Sequence, residues 1–423
     1  MARIKSFSAV RPGKELALKV ASRPYDVMSA EEARQEASAN PYSFLHIIRP
    51  EIDFPQDQDP HAPEVYRKGR ENYEIMKDAG VFVRDRSDCL YIYQLIDSGH
   101  SQTGLVACAA VDDYFNGVIR KHELTRPDKE EDRKNHIRVS LIQAEPVFFA
   151  YPAHARLDEL IGNITRASQP EYDFAAEDGV VHRIWILSDR ELTDRIIALF
   201  DEIPHTYVAD GHHRTAAAAL VGRELQEANP DHSGIEAYSY FLAVHFPHDQ
   251  LRILDYNRVV RDLNGLSPSD FLAKLEKHFI LEDCGEEPFK PERKHCFGMY
   301  LDHKWYRITL RSEWSSGSDA VDGLDVSILS KLILEPLLGI FDQRNDHRID
   351  FVGGVRGLGE LKRKVDSGAM AVAFALHPVS MEQLMAVADT GAIMPPKTTW
   401  FEPKLRSGLL IHDLEDQNPD TDR

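Results

Sequence analysis

The stretch Thr206-Tyr207-Val208-Ala209-Asp210-Gly211-His212-His213-Arg214-Thr215-Ala216 decides the reading of this chain. Thr206 to Ala209 has the composition of a short buried strand. Gly211 permits a tight turn that other residues resist. The alanine-rich run from Thr215 to Ala228 predicts a helix. A strand, a glycine turn and a helix in succession leave backbone N–H groups without intrahelical acceptors at the turn. The helix dipole favours an anion at the same place. Arg214 adds a fork suited to phosphate. His212 and His213 can donate to phosphate oxygens or ligate a metal. Asp210 can orient a histidine or hold Mg²⁺. The simpler account makes Asp210 an N-cap, but a cap needs neither two histidines nor the arginine.

Two other stretches carry reactive groups. Arg120-Lys121-His122-Glu123-Leu124-Thr125-Arg126 is followed by Lys129, Glu130, Glu131, Asp132 and Arg133. Such charge runs are usually solvated surface. The His122-Glu123 pair among cations singles this one out, because a glutamate there could take a hydroxyl proton while Arg or Lys neutralises phosphate. Pro395-Pro396-Lys397-Thr398-Thr399-Trp400-Phe401 joins a stiff turn to a cation and two hydroxyls, a composition suited to phosphate or carboxylate. Read from these residues alone, an ordinary proline turn is the better explanation. Gly353-Gly354-Val355-Arg356-Gly357, between a strand and a helix, could cradle an anion or simply turn. His245 and His248 flank an apolar strand and read as structural.

Outward from these motifs, strands interleave with helices. Ser29 with Glu32 predicts a capped helix through about Ala37, Phe44 to Ile48 a buried strand, and Ala62 to Ala79 a helix. Leu90–Ile96 and Leu105–Val111 read as a hairpin across Asp97-Ser98-Gly99-His100. Strands follow at Ser140–Ile142, Val147–Ala150 and Val181–Leu187, a helix at Asp189–Phe200 and a strand at Tyr238–Phe246. A second unit holds helices at Ser269–His278, Val326–Leu338, Leu358–Asp366 and Ser380–Thr390. Its strands are expected at Cys296–Tyr300, Trp305–Leu310, Ile349–Val352 and Met370–Ala375. The fold class is therefore α/β or α+β, with domains expected at 1–260 and 261–412 and a disordered acidic tail at 413–423.

With 423 residues, 43% hydrophobic and 28% charged, the chain can build real cores. A net charge of −19 disfavours general nucleic-acid binding. No apolar run approaches a membrane span and the first residues lack a secretory leader, so a cytoplasmic protein without membrane partners is expected. Cys89, Cys108, Cys284 and Cys296 form no metal-type pair and read as free thiols. The motifs Gly-x-x-x-x-Gly-Lys-Ser/Thr, Gly-x-Ser-x-Gly and His-Glu-x-x-His are absent, which disfavours P-loop, α/β-hydrolase and zincin chemistry.

The Asp210-Gly211-His212-His213-Arg214 loop, the upstream His122-Glu123 and the downstream Pro396-Lys397-Thr398-Thr399 together resemble the archaeal free L-serine kinases of the ParB/sulfiredoxin superfamily. Arg23-Pro24-Tyr25-Asp26, Asn40-Pro41, the Arg120–Arg133 run and the Asp-Gly-His-His-Arg loop resemble the family called domain of unknown function 1015. The resemblance implies a ParB/sulfiredoxin-like catalytic domain with an N-terminal extension and a smaller C-terminal α/β domain closing the site. It implies a kinase making O-phosphoserine, with Mg²⁺ and a donor that is ATP, ADP or pyrophosphate. In that reading Glu123 is the base, with His122 beside it. Asp210, Gly211, His212, His213 and Arg214, helped by Arg126 and Arg133, hold the phosphates. Lys397, Thr398 and Thr399 bind serine or its product. One departure is Lys121, where the kinases carry proline. A sulfiredoxin would need cysteine where His212 stands. The other reading is a ParB-like nucleotide-binding regulator without kinase activity.

Overall fold

The computed structural model describes residues 1–314 and 319–415. The chain forms two compact units, Met1–Leu251 joined by Pro403–Arg423, and Arg252–Glu402. It is a mixed α/β fold with one large mixed sheet and smaller separate sheets.

The first unit is built on the large sheet. Its strand order is Ile119–Arg120, Thr206–Asp210, Val147–Tyr151, Tyr240–Pro247, His100–Ala110, Leu90–Asp97, Val181–Leu187 and Tyr172–Ala175, with Ile4–Lys5 also pairing with His100–Ala110. Neighbours run antiparallel except Thr206–Asp210 with Ile119–Arg120 and Tyr240–Pro247 with Val147–Tyr151. One cluster packs helices Ala155–Ala167 and Arg190–Phe200 on the sheet through Leu157, Ile161, Ile196 and Phe200 against Leu90, Ile92 and Trp185. Another holds helix His212–Ala228 through Ala217, Ala218 and Val221 against Val208, Phe149 and Phe241. The small side chains let this helix approach closely. A Cβ on its Gly222 would lie 2.6 Å from the Tyr238 carbonyl oxygen.

The N-terminal residues form a third cluster in which Phe44, Leu45, Ile47, Ile48, Tyr73 and Phe82 pack with Ile142 and Ile411. Ser29 caps Ala30–Ala37 in a full capping box with Glu32. Phe44–Ile48 is not a strand: Leu45–Ile48 is a helical turn, with the Ile48 amide donating to the Phe44 carbonyl. A short apolar run has no period to separate strand from buried helix.

Other differences are also local. The charged run contains a helix, Pro127–Ser140, so Ser140 ends a helix and the strand begins at Ile142. Ala155–Ala167, which the sequence reading passed over, is a helix started by His154.

The second unit carries a six-stranded antiparallel sheet in the order Phe279–Gly285, Lys304–Leu310, Cys296–Leu301, Val372–Ala375, Tyr256–Val260, Ile349–Gly353. Helix Gly357–Asp366 covers it through Leu361 and Val365, against Val259, Tyr300 and Trp305. The expected helix Val326–Leu338 is an α-helix, Asp325–Leu329, continuing as a π-helical segment, Ser330–Leu334.

Residues 256–260 pair with two strands of this sheet, so the unit starts before the boundary expected at 260. Pro403 onward returns to the first unit. The Ser22 and Ser407 backbones bond both ways, as do those of Val10 and Ile411, and His412–Asp413 pairs with Ile142–Gln143. Asp413 accepts from Arg84 at 2.5 Å, so the expected disordered tail does not begin there. Residues 416–423 lie outside the described part. No helix among the described residues is long and apolar enough to cross a membrane.

Candidate phosphate-binding site

The site begins with a flaw in strand pairing. Val208 faces Phe149, but Asp210 faces Phe148, so Ala209 is an extra residue in the ladder. A bulge of this kind re-aims the residue that follows it. The side chain of Asp210 accepts the Gly211 amide at 3.0 Å. Gly211 then takes φ 89°, a left-handed conformation suited to glycine. A Cβ there would stand 3.2 Å from the Arg214 guanidinium. The helix begins at His212, earlier than the expected Thr215. Its N-cap is Gly211, and no side chain caps it. Asp210 is therefore not the cap, and the helix start, the positive end of the dipole, has no side-chain acceptor.

Arg214 is buried. Its Nη1 donates to the Pro146 carbonyl at 3.0 Å, and Nη2 lies 3.9 Å from the Asp26 carboxylate. Glu145, with 9% of its side chain exposed, accepts the Tyr25 amide at 3.2 Å and lies 3.4 Å from Arg133. Burial pushes the Glu145 carboxyl above its usual range, against the pull of Arg133 and Arg214. Burial alone would make the Arg214 guanidinium easier to deprotonate, but Asp26, Glu145 and Asp210 outweigh it. A cavity of about 30 Å³ lies among Arg133, Glu145, Gln143 and Arg214, enough for a single water. Arg133 is held by Asp132 at 2.8 Å and by the face of Tyr25 at 4.0 Å.

His122 and Glu123 come to the same turn. The His122 and His212 rings meet edge to face with centroids 4.4 Å apart. Burial pulls His122 down to about 4. Burial, then the neighbouring His122, holds His212 well below the usual histidine range. Both are neutral imidazoles at neutral pH. Glu123 keeps 34% of its side chain exposed, with Oε2 3.9 Å from His212 Nδ1. Nε2 of His213 accepts the Arg126 amide at 3.0 Å, which puts the His213 proton on Nδ1. The Arg126 guanidinium turns instead to Asp128, 2.8 Å away.

Asp210 has a second partner. Its Oδ2 accepts from Lys404 Nζ at 2.9 Å. Burial would raise this carboxyl, but Lys404 and Arg214 hold it far below its usual range. Sequence reading missed Lys404, Asp26 and Glu145 as members of the site. Tyr25-Asp26 stood in a noticed motif, while nothing local marked the other two.

On the second unit, Lys397 takes φ 56° and Thr398 is buried, with Oγ1 donating to the Pro395 carbonyl at 2.6 Å. Arg258 Nη2 donates to the carbonyls of Pro396 and Lys397 at 3.1 and 3.0 Å, which fixes this turn. Gly354 is explained by packing, since a Cβ there would overlap the Asp255 carboxylate at 2.5 Å. His245, on the first unit, is buried edge-on against Phe149 and Phe200, as a structural residue would be. Among the described residues, no cluster of three or more His, Cys, Asp or Glu side chains could hold a metal.

Residues 4–327 match the family described as Protein of unknown function (DUF1015), and the chain belongs to that family. No curated protein matches the chain. Among solved structures it is similar to a free serine kinase in complex with AMP, at 14% identity, covering 70% of this chain and 86% of that one, with a TM-score of 0.34. It is also similar to SbnI with a C-terminal truncation from Staphylococcus aureus, at 13% identity, 75% and 91% coverage and a TM-score of 0.38. A conserved hypothetical protein from Pyrococcus furiosus is similar at 15% identity, 74% and 96% coverage and a TM-score of 0.35. These likenesses are distant.

Proposed function

We propose that the chain is a small-molecule kinase that phosphorylates the hydroxyl of free L-serine to give O-phosphoserine. The observation that supports this is the closeness of Glu123 to the head of helix His212–Ala228. A partly exposed carboxylate stands 3.9 Å from His212, beside a helix start that no side chain caps. Phosphoryl transfer needs positioning, a base for the acceptor and fixed positive charge for the moving group.

In this reading the serine oxygen attacks the terminal phosphorus of the donor, and its proton passes to Glu123. The bond from that phosphorus to the bridging oxygen breaks. ATP then leaves as ADP, ADP as AMP, and pyrophosphate as phosphate. Gly211, His212, His213 and Arg214 hold the phosphates, and neutral His122 supports the His212 ring. Arg133 acts through Glu145 and Tyr25 rather than on the donor. Lys397, Thr398 and Thr399 are the candidates for the amino acid. Mg²⁺ bound with the donor would supply charge neutralisation. Asp210, kept ionised, is the carboxylate that would hold it. Serine as acceptor rests on the motif resemblance.

The test is to incubate the purified chain with Mg²⁺ and L-serine, separately with ATP, ADP and pyrophosphate, and to seek O-phosphoserine by mass spectrometry. Product with one donor supports the reading and names the donor. No product from folded protein with any donor would sink it. If ADP still bound, nucleotide binding without catalysis would remain.

A further inference from the structure

Lys404 and Asp210 are paired across 194 residues of sequence. Lys404 is carried by a segment fastened just beyond it. Arg406, next but one, is buried, donates to Asp178 and His182, and has its amide on the Tyr93 hydroxyl. Ser407 is bonded to Ser22. The Lys404 side chain is only 16% exposed.

Asp210 keeps 29% of its side chain exposed, and a pair only partly shielded adds little to a fold, because screening and desolvation both offset the attraction. Asp210 is in any case already matched by the Gly211 amide and the charge of Arg214. The place Lys404 reaches also has donors to spare. Arg214 Nε, a buried donor, has no hydrogen-bond partner, and the helix start beside it has no cap. Groups of this kind are left open where a ligand completes them. A lysine ammonium on a flexible stem can turn from a carboxylate to a phosphate without main-chain movement.

We propose that Lys404 is a phosphate-binding residue of this site. It holds Asp210 when the site is empty and donates to a donor phosphate when the site is filled, so the Pro403–Asp413 segment belongs to the anion site. The proposal rests on the phosphate-binding reading of the Asp210–Arg214 turn.

The test uses the full chain and ADP as probe, by titration calorimetry without and with Mg²⁺. Lys404→Met is expected to weaken ADP binding about ten- to hundredfold, the loss of a charge-assisted hydrogen bond, and Lys404→Arg to recover most of it. In an Asp210→Asn background, without Mg²⁺, Lys404→Met is expected to lower affinity further, so its effect does not run through Asp210. If Lys404 only propped Asp210, the two neutral variants would lose equally and the double variant no more, which overturns the proposal. Lys404→Met binding like wild type does so too. A readout that needs no variant is acetylation of wild-type lysines, read by peptide mass spectrometry. ADP should slow modification of Lys404, and no protection counts against the proposal. If wild type binds neither ADP, pyrophosphate nor phosphate, the phosphate reading itself fails. If wild type binds and Lys404→Met binds equally, only the role of Lys404 falls.

Discussion

Glu123 Oε2 lies 3.9 Å from His212 Nδ1, which puts a carboxylate at the rim of a helix start suited to anions. Glu123→Gln keeps the size of the side chain and removes its basicity. Turnover to O-phosphoserine should fall by about a hundredfold or more, with ADP affinity unchanged by calorimetry. Wild-type turnover in this variant would show that another group is the base.

Arg214→Ala should do more than abolish phosphate binding. The guanidinium serves the Pro146 carbonyl and stands between Asp26 and Glu145. Its removal leaves buried acceptors unmatched, at a cost of roughly 2–4 kcal/mol. A clear fall in the urea midpoint is expected, together with lost ADP binding. Unchanged stability would mean that Arg214 is not held as described.

Gly211→Ala separates two effects when compared with Gly234→Ala. Both glycines have φ 89°, but an added Cβ meets nothing within 4 Å at Gly234 and the Arg214 guanidinium at Gly211. Each should lose about 1–2 kcal/mol for the left-handed backbone. Only Gly211→Ala should also lose ADP binding. Equal binding by both variants would detach Gly211 from the site.

Acid should loosen the first unit. His122 and His136 are pulled down to about 4, and His182 and His245 to about 3, mainly by burial. Between the unfolded value near 6.5 and these folded values, the unfolded chain binds more protons, so stability rises with pH. It is therefore lost as pH falls from about 6.5 towards 4. Thermal melts across that range should show a declining Tm, and His122→Asn should flatten the decline. A flat wild-type profile would contradict the neutral, buried state of these rings.

The parts of this fold that were legible in sequence have local causes. Ser29 and Glu32 meet within one turn, and Asp97-Ser98-Gly99-His100 joins strands that pair at once. Helix Pro127–Ser140 hid because it buries Asp132, Arg133 and His136 rather than an apolar stripe. Ala155–Ala167 did have a stripe, Leu157 and Ile161 among it, and was passed over. The same division runs through the site. Asp210 to Arg214 are consecutive and announce themselves, whereas Asp26, Glu145 and Lys404 reach Arg214 or Asp210 only after long stretches of chain have folded. No spacing in the sequence encodes such meetings.

The first unit is interrupted by the second and resumed at Pro403. A ribosome delivers residues in order, and domains generally fold as units during synthesis. The hydrogen bonds of Ser22 to Ser407 and of Val10 to Ile411 must therefore wait until everything from Arg252 to Glu402 has been made. Until then the nascent first unit lacks its closing segment, and the Val10 and Ser22 backbones lack those partners. A chain whose residues 403–413 have not yet emerged from the ribosome carries a first unit still unfinished, whatever the state of the second.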